Sequence, residues 1–320
     1  MSYKISKKKI LVTGATGQIG SFLIERLIKE NVEVFAVGRN KKELREILPI
    51  VESQKIKFLE CDITNEKNIK KNSKFLNGID FFVHLSSGYR FDLVNSMTSD
   101  HHTIEQDLKG TIKILKELKN LEGVLFASSV SIYGKPEYLP IDENCSVNPN
   151  HFYGVGKFGA EKILQSFTLK NKIPLTILRI AAVVGERDRS NQIIPICVNR
   201  SLKNETINVN EESSRDYIHV LDLAKAHLLA LENINNLESF SEEYNVGTGQ
   251  GYSVKEIIRM VKEITGKDFL VLESPRRGGD PPILVANSEK IKKELSWYPK
   301  YSIKDIIKSA WEWHQNNLQS

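Results

Sequence analysis

The sequence predicts an α/β fold: a doubly wound parallel sheet with a smaller mixed α/β domain appended. Three observations carry this. Short apolar runs alternate with helix-patterned stretches as far as about residue 182, a glycine-rich turn follows the first run, and beyond it the rhythm breaks into short strands and Gly/Pro-rich turns.

Taken in order, "ILVTG" (Ile10–Gly14) is a buried strand, and "SFLIERLIKE" (Ser21–Glu30) repeats its apolar residues at helical spacing. "VEVFAV" (Val32–Val37), "KIKFLE" (Lys55–Glu60), "DFFVHLS" (Asp80–Ser86), "GVLFAS" (Gly123–Ser128) and "PLTILRI" (Pro174–Ile180) follow as strands. "HTIEQDLKGTIKILKELKN" (His102–Asn120) and "GKFGAEKILQSFTLK" (Gly156–Lys170) are helices between them. The remainder holds turns such as "GTGQGYS" (Gly247–Ser253) and "SPRRGGDPP" (Ser274–Pro282), then helical segments at Asn287–Leu295 and Ile303–Asn317. Residues 1–182 plus 216–246 are expected to form one domain, and 183–215 plus 247–320 a cap; 320 residues suit about two domains.

Composition excludes several classes. The 45 basic and 40 acidic residues are interleaved, giving a charge of +5 without the basic stripe of a nucleic-acid binder. Cys61, Cys145 and Cys197 lie far apart in no metal-like spacing, which points to a reducing compartment without disulfides. The start, "MSYKISKKKILVTGATG", lacks the apolar run of a signal peptide. No apolar run approaches the roughly 20 residues that span a bilayer. The expectation is a cytoplasmic protein with no membrane partner. His101 and His102 are neighbours in sequence and would diverge on a helix, so no metal site is expected.

"TGATGQIG" sets Gly14, Gly17 and Gly20 between the first strand and the first helix. Glycines there let backbone amides approach a pyrophosphate at the helix N-terminus, which points to a dinucleotide. The second strand ends in "VFAVGRNKK": Gly38 stands where an acid would hold a ribose 2′-hydroxyl, and Arg39, Lys41 and Lys42 follow. An arginine can grip a 2′-phosphate bidentately, so NADP is expected first and NAD second; the alternative is a solvated basic loop.

"HFYGVGK" (His151–Lys157) puts Tyr153 and Lys157 one helical turn apart with Gly154 and Gly156 between them, and upstream "FASSVSIYG" sets Ser128 and Ser129 just past a strand. Together with the glycine turn, Ser129, Tyr153 and Lys157 resemble the short-chain dehydrogenase/reductase superfamily. More closely, they resemble its extended branch acting on nucleotide sugars. The resemblance runs nearly the whole chain, through "CDITN", "FVHLSS", "SSVSIYG", "YGVGK", "SSRDYIHVLDLA", "YNVGTGQGYS", "PRRGGD" and "LSWYPKYSIKD".

The resemblance implies a Rossmann-type cofactor domain holding the dinucleotide through Gly14, Thr16, Gly17, Gln18, Ile19, Gly20, Arg39, Asp62, Ile63, Leu85, Ser86, Ser87, Tyr153 and Lys157. It implies a helical YxxxK, with Tyr153 as proton relay. A phenol near pKa ~10 needs a neighbouring cation to become one. Ser129 and Ser131 would meet the sugar, Arg215 the diphosphate, and Arg277 with Asp280 the nucleotide's phosphate and ribose of a nucleotide-diphosphate sugar. His84 reads as a packed strand residue. A homodimer pairing the helices at His102–Asn120 and Tyr153–Lys170 is also implied, although the same apolar stripes would suit a monomer's core.

Family dehydratases carry Asp–Glu after the serine, and decarboxylases a Glu two residues past it; here stand Val130 and Ser131. Hydride transfer at a sugar carbon, most often C4, remains. The Gly38–Arg39 pattern favours a 4-keto-sugar reductase using NADPH, with a 4-epimerase as the alternative and a non-catalytic dinucleotide-binding regulator third. Two departures stand out: Asp107 and Ala182 occupy positions where the family usually has Asn.

Overall fold

Strands covered on both faces need nearly unbroken apolar runs, and the first half of the chain supplies them. The computed structural model describes residues 5–43, 55–88, 103, 105–188, 192–210, 212–237, 239–274 and 281–318. Its strands are β1 (Lys9–Thr13), β2 (Glu33–Gly38), β3 (Ile56–Glu60), β4 (Phe81–His84), β5 (Gly123–Ser129), β6 (Leu175–Ile180), β7 (Ala182–Val184), β8 (Ile207–Val209), β9 (Ser214–His219), β10 (Ser241–Val246), β11 (Gly251–Ser253), β12 (Val271–Glu273) and β13 (Ile283–Leu284). Its α-helices are α1 (Gln18–Leu27), α2 (Glu66–Leu76), α3 (Thr111–Leu115), α4 (Phe152–Asn171), α5 (Ile193–Lys203), α6 (Val220–Asn233), α7 (Val254–Thr265), α8 (Glu289–Leu295) and α9 (Ile303–Leu318).

Seven strands form one sheet in the order β10-β6-β5-β4-β1-β2-β3. β4, β5 and β6 are buried along their whole length, whereas the edge strand β3 exposes Lys57 and Glu60. β1 pairs in parallel with β2 on one side and β4 on the other, so the strand order reverses at β1. In such sheets that reversal opens a crevice outside the carboxyl ends of the strands. The doubly wound parallel sheet expected from the sequence is therefore present.

Backbone contacts divide the chain into two units. The first is residues 1–129, 152–179 and 224–244, and the second is 130–151, 180–223 and 245–320. The first has its core in Leu11, Phe35, Phe82, Phe126, Leu164 and Ile177. In the second, β9 pairs antiparallel with β11 and parallel with β7 and β13. Ile194, Cys197, Ile257, Val261, Ile306 and Ile307 of α5, α7 and α9 form its core. Asp216 of β9 binds that unit together. It is buried and accepts from Thr248 N (2.9 Å), Thr248 Oγ1 (2.5 Å), Gly249 N (3.0 Å) and Ala286 N (3.3 Å). Among the described residues no helix is long and apolar enough to cross a membrane.

One helix differs from expectation. The one expected over His102–Asn120 is a π-helical segment, Glu105–Gly110, continued by α3, which ends at Leu115; His101 and His102 lie outside the described residues. Thr111 Oγ1 donates to the Asp107 carbonyl four residues back (2.5 Å), a side-chain bond that competes with the regular ladder. As the resemblance implies, the YxxxK stretch is helical: α4 begins at Phe152 and takes it in whole, glycines included.

Candidate active site

The turn after β1 works because three side chains are missing. Gly14 has φ +68°, and a Cβ there would lie 2.9 Å from the Leu85 carbonyl carbon. A Cβ on Gly20 would lie 2.3 Å from the Gly14 carbonyl oxygen. The turn is thus pressed against both α1 and the segment after β4. Gly17 caps α1 with no side-chain bond, and no acidic residue occupies its first turn. The positive helix end therefore carries no acidic side chain of its own first turn, which suits an anion such as the pyrophosphate of a dinucleotide. Thr16, Gln18 and Ile19 line this turn, half-exposed.

A chain of hydrogen bonds fixes the facing loop. Thr13 Oγ1 accepts from Leu85 N (3.2 Å) and Ser86 N (3.4 Å) and meets His84 Nδ1 at 2.7 Å. His84 Nε2 meets Thr111 Oγ1 at 2.8 Å. Because Thr111 gives its only proton to the Asp107 carbonyl, Nε2 carries the imidazole hydrogen and Nδ1 accepts from Thr13. His84 stacks between Phe82 and Phe126, and burial, with the Lys157 charge adding to it, pushes its pKa down to about 3. It is a neutral strut, as expected of a packed strand residue. Leu85 and Ser86 are half-buried beyond it and Ser87 is exposed. Thr13 and Thr111 were not legible as site-building residues, since a threonine in a strand or helix has no distinctive spacing.

At the end of β2 the position of the expected acid is closely packed. A Cβ on Gly38 would meet Thr16 Cγ2 at 3.1 Å and Phe58 ring carbons at 3.2 and 3.4 Å. Arg39 follows, exposed. Asp62, after β3, accepts from Thr64 N (2.8 Å) and Thr64 Oγ1 (2.7 Å). Burial works to raise its pKa, but the Thr64 bonds, the Arg39 charge and a Gln106 bond outweigh it and hold the carboxyl below its usual value. The Ile63 side chain is buried against Gly110.

β5 delivers Ser128 and Ser129, both buried, to the same edge of the sheet. α4 carries Tyr153, half-buried, in its first turn and Lys157 one turn on. Lys157 is buried; its Nζ donates to the Ala127 carbonyl (3.0 Å) and lies 5.1 Å from the Phe126 ring centroid. Burial pushes its pKa below the ordinary lysine value, against the upward pull of the Asp107 and Glu161 carboxylates. The glycines of α4 answer a packing need. A Cβ on Gly156 would sit 3.0 Å from Asp107 Oδ2, and one on Gly159 2.6 Å from Leu108 Cδ2. Helix propensity is given up so that α4 can lie close on the π-helical segment.

The first unit therefore gathers the glycine turn, Arg39, Asp62, Leu85–Ser87, Ser129, Tyr153 and Lys157 after the carboxyl ends of β1 to β5 and on α4. In the second unit Ser131 sits half-buried in a 3₁₀ turn, Val130–Tyr133. Arg215 Nη1 donates to the Ser214 (2.8 Å) and Pro282 (3.1 Å) carbonyls. Ala182 is half-buried in β7. Arg277 and Asp280 lie outside the described residues.

The sequence pattern of the NAD dependent epimerase/dehydratase family matches residues 10–247. The chain is 32% identical to the UDP-glucose 4-epimerase of Lactobacillus helveticus, over 97% of this chain and 98% of that one. Among solved structures it is similar to the UDP-glucose 4-epimerase of Thermotoga maritima with UDP-glucose (TM-score 0.86, 27% identity, 97% and 99% of the two chains). It is likewise similar to that of Bifidobacterium longum in complex with NAD+ and UDP (TM-score 0.87, 26% identity, 97% and 99%). With the motifs, the sheet and these matches in agreement, the chain belongs to the NAD-dependent epimerase/dehydratase family, in the nucleotide-sugar branch of the extended short-chain dehydrogenases/reductases, and is an NAD(P)-dependent enzyme.

Proposed function

We propose that the chain is a nucleotide-sugar 4-epimerase acting on a UDP-hexose. The observation that carries this is a buried Lys157 one turn from Tyr153 on α4, with Ser129 at the end of β5 and no carboxylate at the next two positions. The 4-keto-sugar reductase expected from Arg39 gives way to its alternative, because full-length relatives are UDP-glucose 4-epimerases.

A bound nicotinamide supplies the two-electron acceptor and donor. Ser129 Oγ hydrogen-bonds the sugar's C4 oxygen and fixes its angle. Tyr153 Oη takes the C4 hydroxyl proton as the carbon is oxidised, and returns it when the same carbon is reduced on its other face. The Lys157 ammonium, aimed by Ala127, favours the phenolate and would bind the nicotinamide ribose hydroxyls. Because oxidation and reduction are balanced within one cycle, the enzyme needs no added reductant. Arg215 is assigned to the diphosphate and Ser131 to the sugar. The first unit would hold the dinucleotide, and residues 183–215 with 247–320 the nucleotide moiety.

Purified protein incubated with UDP-galactose is expected to give UDP-glucose by NMR without added cofactor. If turnover requires stoichiometric NADPH and a 4-keto sugar, the enzyme is the reductase instead.

We propose further that the adenosine end prefers a 2′-phosphate. Thr16 and Phe58 crowd any side chain at Gly38, and Arg39 offers a charged fork where that phosphate would lie. NADP+ is expected to bind about tenfold tighter than NAD+, the equivalent of roughly one charge-assisted hydrogen bond, and Arg39→Ala to abolish the difference. Equal affinities, read by calorimetry, would reject the preference. A homodimer is proposed through the exposed Phe152, Val155 and Leu169 of α4, to be checked by light scattering.

A further inference from the structure

Asp107 is buried in the π-helical segment, and its Oδ1 accepts from the Gly88 amide (2.9 Å). An asparagine would make that bond equally well through its own Oδ1. What the aspartate adds is charge. Its other oxygen, Oδ2, faces the bare backbone of Gly156, the residue immediately before Lys157, at a distance where a Cβ would sit 3.0 Å away. The missing Cβ of Gly156 lets the carboxylate lie close to α4 at the turn that carries the lysine.

We propose that Asp107 is a positioning residue acting through Lys157: its buried carboxylate, anchored by Gly88 and pressed against Gly156, is the counter-charge that sets the pH range in which the Tyr153–Lys157 couple works. The inference rests on the acid–base role given to that couple above.

The surrounding charges leave Asp107 this part. On α4, Glu161 also faces Lys157, but it is tied to Arg179 of β6 (3.1 Å). Of the two carboxylates that favour the charged lysine, Asp107 exerts the larger pull. From β4, His84 is neutral. On the π-helical segment, Glu105 and Lys109 are exposed and face each other (3.7 Å). From α3, Lys113 is turned to the Thr64 carbonyl (2.5 Å).

The sign follows from charge alone. A nearby negative charge favours the protonated form of every group it faces, phenol and ammonium alike. Removing it must move both titrations, and with them both limbs of the pH–rate profile, towards acid.

The test compares the holoenzyme with its Asp107→Asn variant. The readouts are the pH profile of kcat/KM and the phenolate absorbance of Tyr153, the latter obtained by subtracting the matching Tyr153→Phe protein. Both midpoints are expected to fall by about one pH unit, the lower end for a neighbouring charge, and Asp107→Glu is expected to restore them. Profiles that superimpose, even with lower activity or a lower Tm, would overturn the proposal and leave Asp107 a packing residue. Should the asparagine variant fail to fold, Asp107→Ser provides the same comparison. Full activity of Tyr153→Phe would instead sink the acid–base assignment, while the absorbance titration would still report the charge coupling.

Discussion

Glu161 of α4 and Arg179 of β6 form a buried ion pair, with Nη2 3.1 Å from Oε2 and Nε 3.3 Å from Oε1, and it fastens the helix carrying Tyr153 and Lys157 to the sheet. Removing one partner strands the other charge in the core. Glu161→Ala is therefore expected to cost about 3–5 kcal/mol in urea denaturation. Glu161→Leu combined with Arg179→Met should recover most of that loss. A single variant as stable as wild type would mean that water reaches the pair.

Gly20 tolerates no side chain. Its Cβ would meet a backbone oxygen, Gly14 O, at 2.3 Å, and backbone cannot swing aside as a side-chain tip can. Gly20→Ala is expected to open the turn, lower Tm and weaken dinucleotide binding at least about tenfold, equivalent to ~1.4 kcal/mol. Gly159→Ala, whose clash is with the flexible Leu108 side chain, should be much milder. Fluorescence titration with the dinucleotide separates the two.

Tyr153→Phe removes one oxygen from a half-buried side chain in the first turn of α4. Stability should stay within about 0.5 kcal/mol of wild type. kcat should fall by about 10²–10⁴, the range for losing a general acid–base group. UDP-galactose epimerisation followed by NMR, beside a thermal melt, checks both.

His84, His219 and His314 are all held below the ordinary histidine range: burial pushes their pKa values down to about 3, 4 and 4, with Lys157 adding to the effect at His84 and Asp305 opposing it at His219. In the unfolded chain each titrates near pKa ~6.5. Below that pH the unfolded state binds more protons, so the stability these groups contribute is present above about pH 6.5 and lost as pH falls towards 4. Glu143 and Asp216, both raised mainly by burial, act in the opposite direction. The clean measurement is thus a difference. The urea midpoint should fall less between pH 7 and pH 5 in His84→Gln than in wild type, and equal falls would show that His84 is already protonated or exposed in the fold.

The residues of the sheet could be read one by one because they are local. β-branched and aromatic runs bounded by turns specify strands, and a glycine turn after the first of them specifies a helix entry that binds an anion. Spacing alone puts Tyr153 and Lys157 on one helix face, whereas their grouping with Ser129 is what the family resemblance implies. Gln106 and Asp107 were not legible as a π-helical turn, since beside the local Thr111 bond its contacts are with residues distant along the chain: the Gly88 amide, and the bare faces of Gly156 and Gly159.

What the sequence alone determined is the doubly wound class of the sheet and the position of the glycine turn, set by short-range pattern, while the Ser–Tyr–Lys grouping is what the family resemblance implies. What only the tertiary structure decided is the environment of those groups: the burial that lowers Lys157 and His84, the ring that closes Gly38, and the carboxylate set against α4. Desolvation and charge–charge coupling depend on what lies within a few ångströms in space, and residues 38 and 58, or 107 and 157, become neighbours only when the chain has folded.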